Sequence, residues 1–96
     1  MRQNNEQPLK DLIQGFLKDN KLGKQLKEAN LISDWEKIAG PLISRHTRKM
    51  YVNQGKLYLY MDSAPLKQEL HYQRSQLLSL VNEYFGDAYV DEVIVR

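Results

Sequence analysis

The hydrophobic pattern of this chain changes period twice within 96 residues. Up to Ala39 the apolar residues recur at helical spacing. From Thr47 to Met61 they alternate, and after Ser63 they return to helical spacing. A period of 3.6 marks an amphipathic helix and a period of two marks a half-buried strand. The chain must therefore combine helices with a sheet, and at this length it can build one modest core and one domain.

Residues 1–7 read as a flexible polar tail, followed by a single domain over 8–96. Pro8 suits the first turn of a helix. Leu9, Leu12, Ile13, Phe16 and Leu17 then form one helical stripe. A second helix is expected from about Leu22 to Ala39, with Leu22, Leu26, Ala29, Trp35, Ile38 and Ala39 on its stripe, closed by Gly40-Pro41. Leu42 to His46 fits either a helical turn or the lead-in to a strand. Met50 and Val52 face one way on the first strand, and Lys49 and Tyr51 the other. Asn53-Gln54-Gly55 makes a hairpin connection with Gly55 supplying a positive φ. On the return strand Leu57, Leu59 and Met61 share a side, opposite Tyr58 and Tyr60. Ser63 is an N-cap for a third helix running to about Phe85, with Leu66, Leu70, Leu77, Val81 and Tyr84 on one stripe and Gly86 as C-cap. Val90 to Val95 is a last strand. The expectation is an α+β fold of order α-α-β-β-α-β, a small three-stranded sheet with helices packed on one face. The helical crossover before the last strand allows part of the sheet to be parallel.

Charge is unevenly distributed. The net charge is only +2, but residues 1–49 hold ten Lys/Arg against six Asp/Glu, and residues 50–96 hold four against six. Between Lys37 and Met61 stand Lys37, Arg45, Arg48, Lys49 and Lys56 with no acid. A local field of one sign attracts an anionic partner even when the whole chain is nearly neutral. The chain has no cysteine, which excludes disulfides and cysteine zinc sites and fits a reducing compartment. No stretch approaches the ~20 apolar residues of a membrane span.

No catalytic constellation emerges. His46 and His71 lack metal-ligand partners at i+4, and His46 lies beside Arg45 and Arg48, a poor place for a cation. The glycines match no phosphate loop, the serines no nucleophile motif, and the carboxylates are scattered. No cofactor is expected. Three features remain. Arg45, Arg48 and Lys49, with Lys56 across the hairpin, can track phosphates, or can simply solvate an edge strand. Tyr51, Tyr58 and Tyr60 on an open sheet face can stack bases, form an interface, or be strand-favouring residues at half exposure. On the third helix Arg74 falls inside the apolar arc, so it must snorkel, pair or bind, unless the helix breaks near Gln73 and resets its phase. Tyr72 points outward. Ser63, Lys67, His71 and Arg74 form an unspecific anion-facing set near the helix start.

The run Trp35-Glu-Lys-Ile-Ala-Gly-Pro-Leu-Ile-Ser-Arg-His-Thr47 resembles the W-x-x-I-x-G-x-x-I-x-x-H-T signature of the bacterial DciA-like family. Gly55-Lys-Leu-Tyr-Leu59 is similar to that family's glycine turn and strand, and Ser63-Ala-Pro-Leu-Lys-Gln-Glu-Leu70 to its S-S-x-x-x-x-E-L helix start. Leu77-Leu78 and Asn82-Glu-Tyr-Phe-Gly86 resemble its L-L-x-x-x-N-x-x-x-G close. The likeness spans residues 9–96 in the short form found in Bacteroidetes-type bacteria. It implies a KH-like fold and a role in loading or assisting the replicative DnaB-type helicase, without enzymatic activity. Longer members carry a C-terminal extension implicated in helicase contact, whereas this sequence stops at Arg96 after the last strand. KH domains commonly clamp nucleic acid with a G-x-x-G loop. None is present, so the basic hairpin is the expected surface.

The expected ligand is single-stranded or tailed DNA, bound without sequence preference through Arg45, Arg48, Lys49, Lys56, Lys67 and Arg74. Tyr51, Tyr58, Tyr60 and Tyr72 would serve as stacking or interface residues. The replicative helicase is the partner that the resemblance implies. The chain is expected in the cytoplasm, at the nucleoid, as a monomer or weak dimer with no membrane attachment. Two alternatives stay open: a KH-like RNA-binding or ribosome-associated protein, and a protein–protein adaptor using the tyrosine face. Trp35 is expected in the core or at its boundary rather than as a partner hot spot.

Overall fold

The structure, a computed structural model, describes residues 21–96. The expected tail over 1–7 and helix over 9–17 lie outside these residues. The chain divides into two compact units between Asn30 and Leu31. Helix α1, Lys21–Ser33, runs across that division. In the first unit Leu22 and Leu26 are exposed rather than buried as their stripe predicts. Among the described residues the buried hydrophobic core begins at Leu31, in the second unit.

The second unit continues with α2 (Trp35–Ala39), α3 (Pro41–Arg45), β1 (Thr47–Asn53) and β2 (Lys56–Met61). It closes with α4 (Ala64–Tyr72), α5 (Arg74–Phe85) and β3 (Glu92–Val95). This is a mixed α+β architecture with five helices and a three-stranded sheet among the described residues, compatible with a small KH-like fold. Among the described residues the coarse order matches the expected one, but both expected helices that fall there are divided. The helix expected from Leu22 to Ala39 breaks at Asp34. The Asp34 carboxylate accepts from the Tyr84 hydroxyl of α5, which ties the break to that helix. This also explains why Tyr84, expected on the buried stripe, is exposed. Gly40-Pro41 does not end the helical region. Gly40 adopts φ +96, and Pro41 restarts a turn as the first residue of α3, so the ambiguous Leu42–His46 segment is largely helical. The third expected helix breaks at Gln73, whose φ of −104 and ψ of 24 depart from helical values. The phase resets there, and Arg74 is exposed instead of trapped in the apolar arc.

β1 and β2 form an antiparallel hairpin, Tyr51 opposite Tyr58 and Asn53 opposite Lys56. Gln54 and Gly55 both have positive φ, 52° and 78°, which gives the two-residue loop the twist that a hairpin requires. β3 pairs with β2 in parallel, Leu57 against Val93 and Leu59 against Val95, after the α4–α5 crossover. The sheet order is β1-β2-β3. The final strand is shorter than the expected Val90–Val95, because Asn82 claims the backbone of Val90. Its Nδ2 donates to Val90 O at 2.9 Å, and its Oδ1 accepts from Val90 N at 3.0 Å.

Alternation then sorts the sheet into two faces. Leu57, Leu59, Val93 and Val95 join Leu31, Trp35, Leu70, Leu77, Val81 and Val90 in the core beneath the helices. Each fully buried leucine contributes about 2 kcal/mol through the area it removes from water. The hairpin tip is held to the chain before β3 by Asp91 N donating to Gly55 O at 2.8 Å. Gly55 and Gly86 both need a left-handed backbone, but only Gly55 is crowded: an added Cβ would meet Asp91 Oδ2 at 3.1 Å, whereas Gly86 faces open space. Substituting alanine at either site is expected to cost about 1–2 kcal/mol, with Gly55→Ala the larger loss. Urea unfolding of the two variants checks this, and a Gly86→Ala cost above that of Gly55→Ala would contradict it.

Candidate nucleic-acid interface

On the face opposite the core, Lys49 and Tyr51 of β1, Tyr58 and Tyr60 of β2, and Ile94 of β3 share one surface. The ladder extends one residue beyond β3. Arg96 N donates to Leu59 O at 2.8 Å, and Arg96 O accepts from Met61 N at 3.0 Å, so alternation places Arg96 on the tyrosine side. Tyr51 stacks on Tyr58 with centroids 4.8 Å apart and planes 15° apart, and on Tyr60 at 6.2 Å and 23°. The Tyr51 and Tyr60 hydroxyls are 3.5 Å apart. Lys49 Nζ sits 5.5 Å from the Tyr51 ring centroid and 5.6 Å from that of Tyr60, within cation–π range. The hydrogen bond to Tyr60, then burial, pushes the Tyr51 phenol above its ordinary pKa. The positive charge of Arg96 pulls the other way. The cluster is thus a column of stacked phenols flanked by Lys49 and Arg96.

The remaining basic residues are placed differently. A register shift between Thr47 and Lys49 takes Arg48 out of the alternation. Arg48 Nη1 lies 3.5 Å from Asp62 Oδ2, and His46 donates through Nδ1 to Asp62 Oδ1 at 2.8 Å. Lys56 Nζ lies 3.8 Å from Glu92 Oε1 on β3. The run that is free of acids in sequence is therefore not free of them in space: Asp62 and Glu92 arrive through strand pairing. Arg45 is exposed at the end of α3, and Arg74 is exposed at the start of α5. Lys67 and His71 line one groove with Tyr72, but Arg74 lies beyond the Gln73 break and outside that lining, and Ser63 Oγ is engaged as the cap of Leu66 N. The anion-facing set expected from Ser63, Lys67, His71 and Arg74 is therefore only partly brought together.

Arg96 was not among the expected site residues, nor were Asp62 and Glu92. The alternation of Val93 and Val95 against Ile94 and Arg96 is a legible signal for Arg96. Its neighbourhood to Tyr51 depends on the β2–β3 register, which the sequence does not carry. Trp35, 3% exposed, lies in the core. Its Nε1 donates to Thr47 Oγ1 at 3.1 Å, and Thr47 Oγ1 in turn donates to Ile43 O at 2.6 Å. That hydroxyl is therefore engaged both as acceptor and as donor. Among the described residues no group of three His, Asp or Glu side chains is placed to hold a metal, and no helix is long and apolar enough to cross a membrane.

The described residues thus form an α+β unit whose tyrosine sheet face, flanked by Lys49 and Arg96, lies opposite the core. The chain belongs to the family described as Dna[CI] antecedent, DciA, whose model matches residues 8–95. That family is associated with loading of the DnaB-type helicase in DNA replication and is not a catalytic one. A UPF0232 protein of Corynebacterium glutamicum (strain R) is 28% identical over 71 residues, which is 74% of this chain and 40% of that protein. The chain thus spans well under half the length of that curated relative.

The hydrogen bond from His46 holds the Asp62 carboxyl below its ordinary value of 3.8, assisted by the charges of His46 and Arg48. A carboxyl depressed in the folded state stabilises the fold above its unfolded pKa, and this contribution is lost as pH falls through the folded value. In acid titration followed by circular dichroism, Asp62→Asn is expected to flatten the pH dependence of stability below about 4. Unchanged acid unfolding would show that the pair carries no such linkage.

Proposed function

We propose that this chain is a non-catalytic nucleic-acid-binding accessory protein that serves the loading of the replicative helicase, with single-stranded or tailed DNA as its ligand. One observation carries the DNA part: the face bearing Lys49, Tyr51, Tyr58, Tyr60 and Arg96 lies opposite the core, with cations on both sides of the phenol column. Phosphate contacts supply most sequence-independent affinity, and hydroxyl and ammonium donors on a rigid face provide them. Arg45 and Arg48 extend the positive surface beyond the start of β1, and Lys67 and Arg74 add charge on the helices. Family membership supports the replication context and the helicase as protein partner. It also supports the DNA reading over the RNA alternative and is consistent with a cytoplasmic protein that works at the nucleoid.

Asp62 tempers this surface by neutralising Arg48, as Glu92 does Lys56. Anisotropy titrations with a single-stranded oligonucleotide across a salt series test the reading. Affinity is expected to fall steeply with salt, and Lys49→Glu with Arg96→Glu to weaken binding at least about tenfold. Asp62→Asn, which frees Arg48, is expected to tighten binding and steepen the salt slope by about one. Affinity that ignores both salt and the double charge reversal would refute the surface. A strong preference for matched RNA in competition would support the RNA-binding alternative. The tyrosine column also suits a protein interface, and helicase capture that is lost on substituting Tyr51 or Tyr58, without any DNA binding, would favour the adaptor.

A further inference from the structure

We propose that the groove between α4 and β3 is a second subsite, in which Tyr72 stacks on an unpaired base and Lys67 takes the adjoining phosphate. The proposal rests on the nucleic-acid reading above and adds to it the origin of strand selectivity.

The six tyrosines of the chain are used in different ways. Tyr58 and Tyr60 both stack on Tyr51, and Tyr84 and Tyr89 pack edgewise on Phe85. Tyr72 has no ring partner among the described residues and is 76% exposed, the most exposed of the large apolar side chains. Its hydroxyl meets Gln68 Nε2 at 3.5 Å, one turn back along α4, a long contact that inclines the ring along the helix. Leaving so much aromatic surface in water has no role in packing. Stacking on a base requires an open π face. Within the sheet column Tyr51 already spends its ring on two neighbours, so that column is better suited to phosphates than to bases. Tyr72 is the aromatic left over for a base.

The space beside Tyr72 fits that use. The groove is about 350 Å³ and is lined by Ala64, Lys67, Gln68, His71, Tyr72 and Val95. This is the lower end of the size range for small-ligand sites, suited to one nucleotide rather than a folded partner. Ala64 and Val95 supply apolar surface. Gln68 and His71 supply hydrogen-bonding groups, and Lys67 the positive charge. No carboxylate lines the groove, and Lys67 has no ion-pair partner among the described residues, unlike Arg48 and Lys56. The charge is therefore complementary to a phosphate and is not already neutralised.

The groove also continues the first surface. Val95 lines it, and the next residue, Arg96, lies on the tyrosine side of the sheet. A strand leaving Lys49 and Arg96 thus crosses the edge of β3 and reaches Lys67. A duplex has its bases stacked inside and offers none to Tyr72, so it gains only the phosphate contacts of the sheet face. A single strand gains both.

The test uses the full chain with a single-stranded oligonucleotide and a duplex of equal length, titrated at low salt. One position of the single strand carries the fluorescent base 2-aminopurine, whose emission falls on stacking. Tyr72→Ala is expected to weaken single-strand binding about tenfold, to leave duplex binding unchanged and to abolish the quenching. Tyr72→Phe keeps the ring and is expected to behave as the wild type. The exposure of Tyr72 leaves the fold intact on substitution, which thermal melting verifies. Lys49→Glu is expected to weaken both ligands. If Tyr72→Ala leaves the single-strand to duplex ratio unchanged while Lys49→Glu still weakens binding, the groove is not a base site and only this inference falls. If the wild-type chain binds neither ligand, the DNA reading itself falls with it.

Discussion

A buried indole nitrogen sets the geometry on which the rest of the unit depends. Trp35 is packed in the core, and its N–H must find an acceptor there, because a buried donor left unpaired costs about 1–3 kcal/mol. It finds Thr47 Oγ1, whose own proton goes to the carbonyl of Ile43. This relay joins the start of α2, the body of α3 and the first residue of β1 at one corner. The corner decides where the strand begins, and the beginning of a strand decides which side chains face inward. A slip of one residue would put Met50 and Val52 in water and send Lys49 and Tyr51 into the core. The irregularity directly after Thr47 lets the chain leave the corner with Arg48 aimed at Asp62 while Lys49 joins the tyrosines.

A second joint does the same for the other edge of the sheet. Gly86 ends α5 in a left-handed conformation, and Asn82 grips both backbone groups of Val90. Together they return the chain so that Val93 meets Leu57 and Ile94 meets Tyr58. Trp35, Ile43, Thr47, Asn82 and Gly86, which lie in the stretches where the sequence resembles the family, are concentrated in these two joints. They are joinery. Between them lie the residues of the sheet face that carries Lys49, Tyr51, Tyr58 and Tyr60.

The alternation over residues 50–61 was legible because a strand with one buried face must spend its apolar residues at every second position. The tyrosine face follows directly from it, as does the turn at Gly55. The helix breaks at Asp34 and Gln73 were harder to see, because apolar residues keep a helical spacing on both sides of each break. At Gln73 the only trace was Arg74, a charge in the middle of an apolar arc. At Asp34 the cause is a hydrogen bond from Tyr84, fifty residues away in sequence, and no local pattern encodes it. The basic run misled for the same reason: its acid-free character is a property of the chain, whereas Asp62 and Glu92 belong to neighbours in space. Arg96 shows the converse, a residue whose facing was readable but whose company was not.

The parallel pairing of β2 with β3 has a consequence for when the tyrosine face is complete. The hairpin closes through contacts local in sequence, whereas β3 can dock only after the whole helical crossover has been laid over the core. Contacts so distant along the chain are the slow ones to form. Tyr51, Tyr58 and Tyr60 come together with the hairpin, but Arg96 and the Val95 side of the neighbouring groove join them only with the last strand. A ligand spanning both would therefore recognise the finished domain and not its precursor, and by mass action would hold the terminal strand in place.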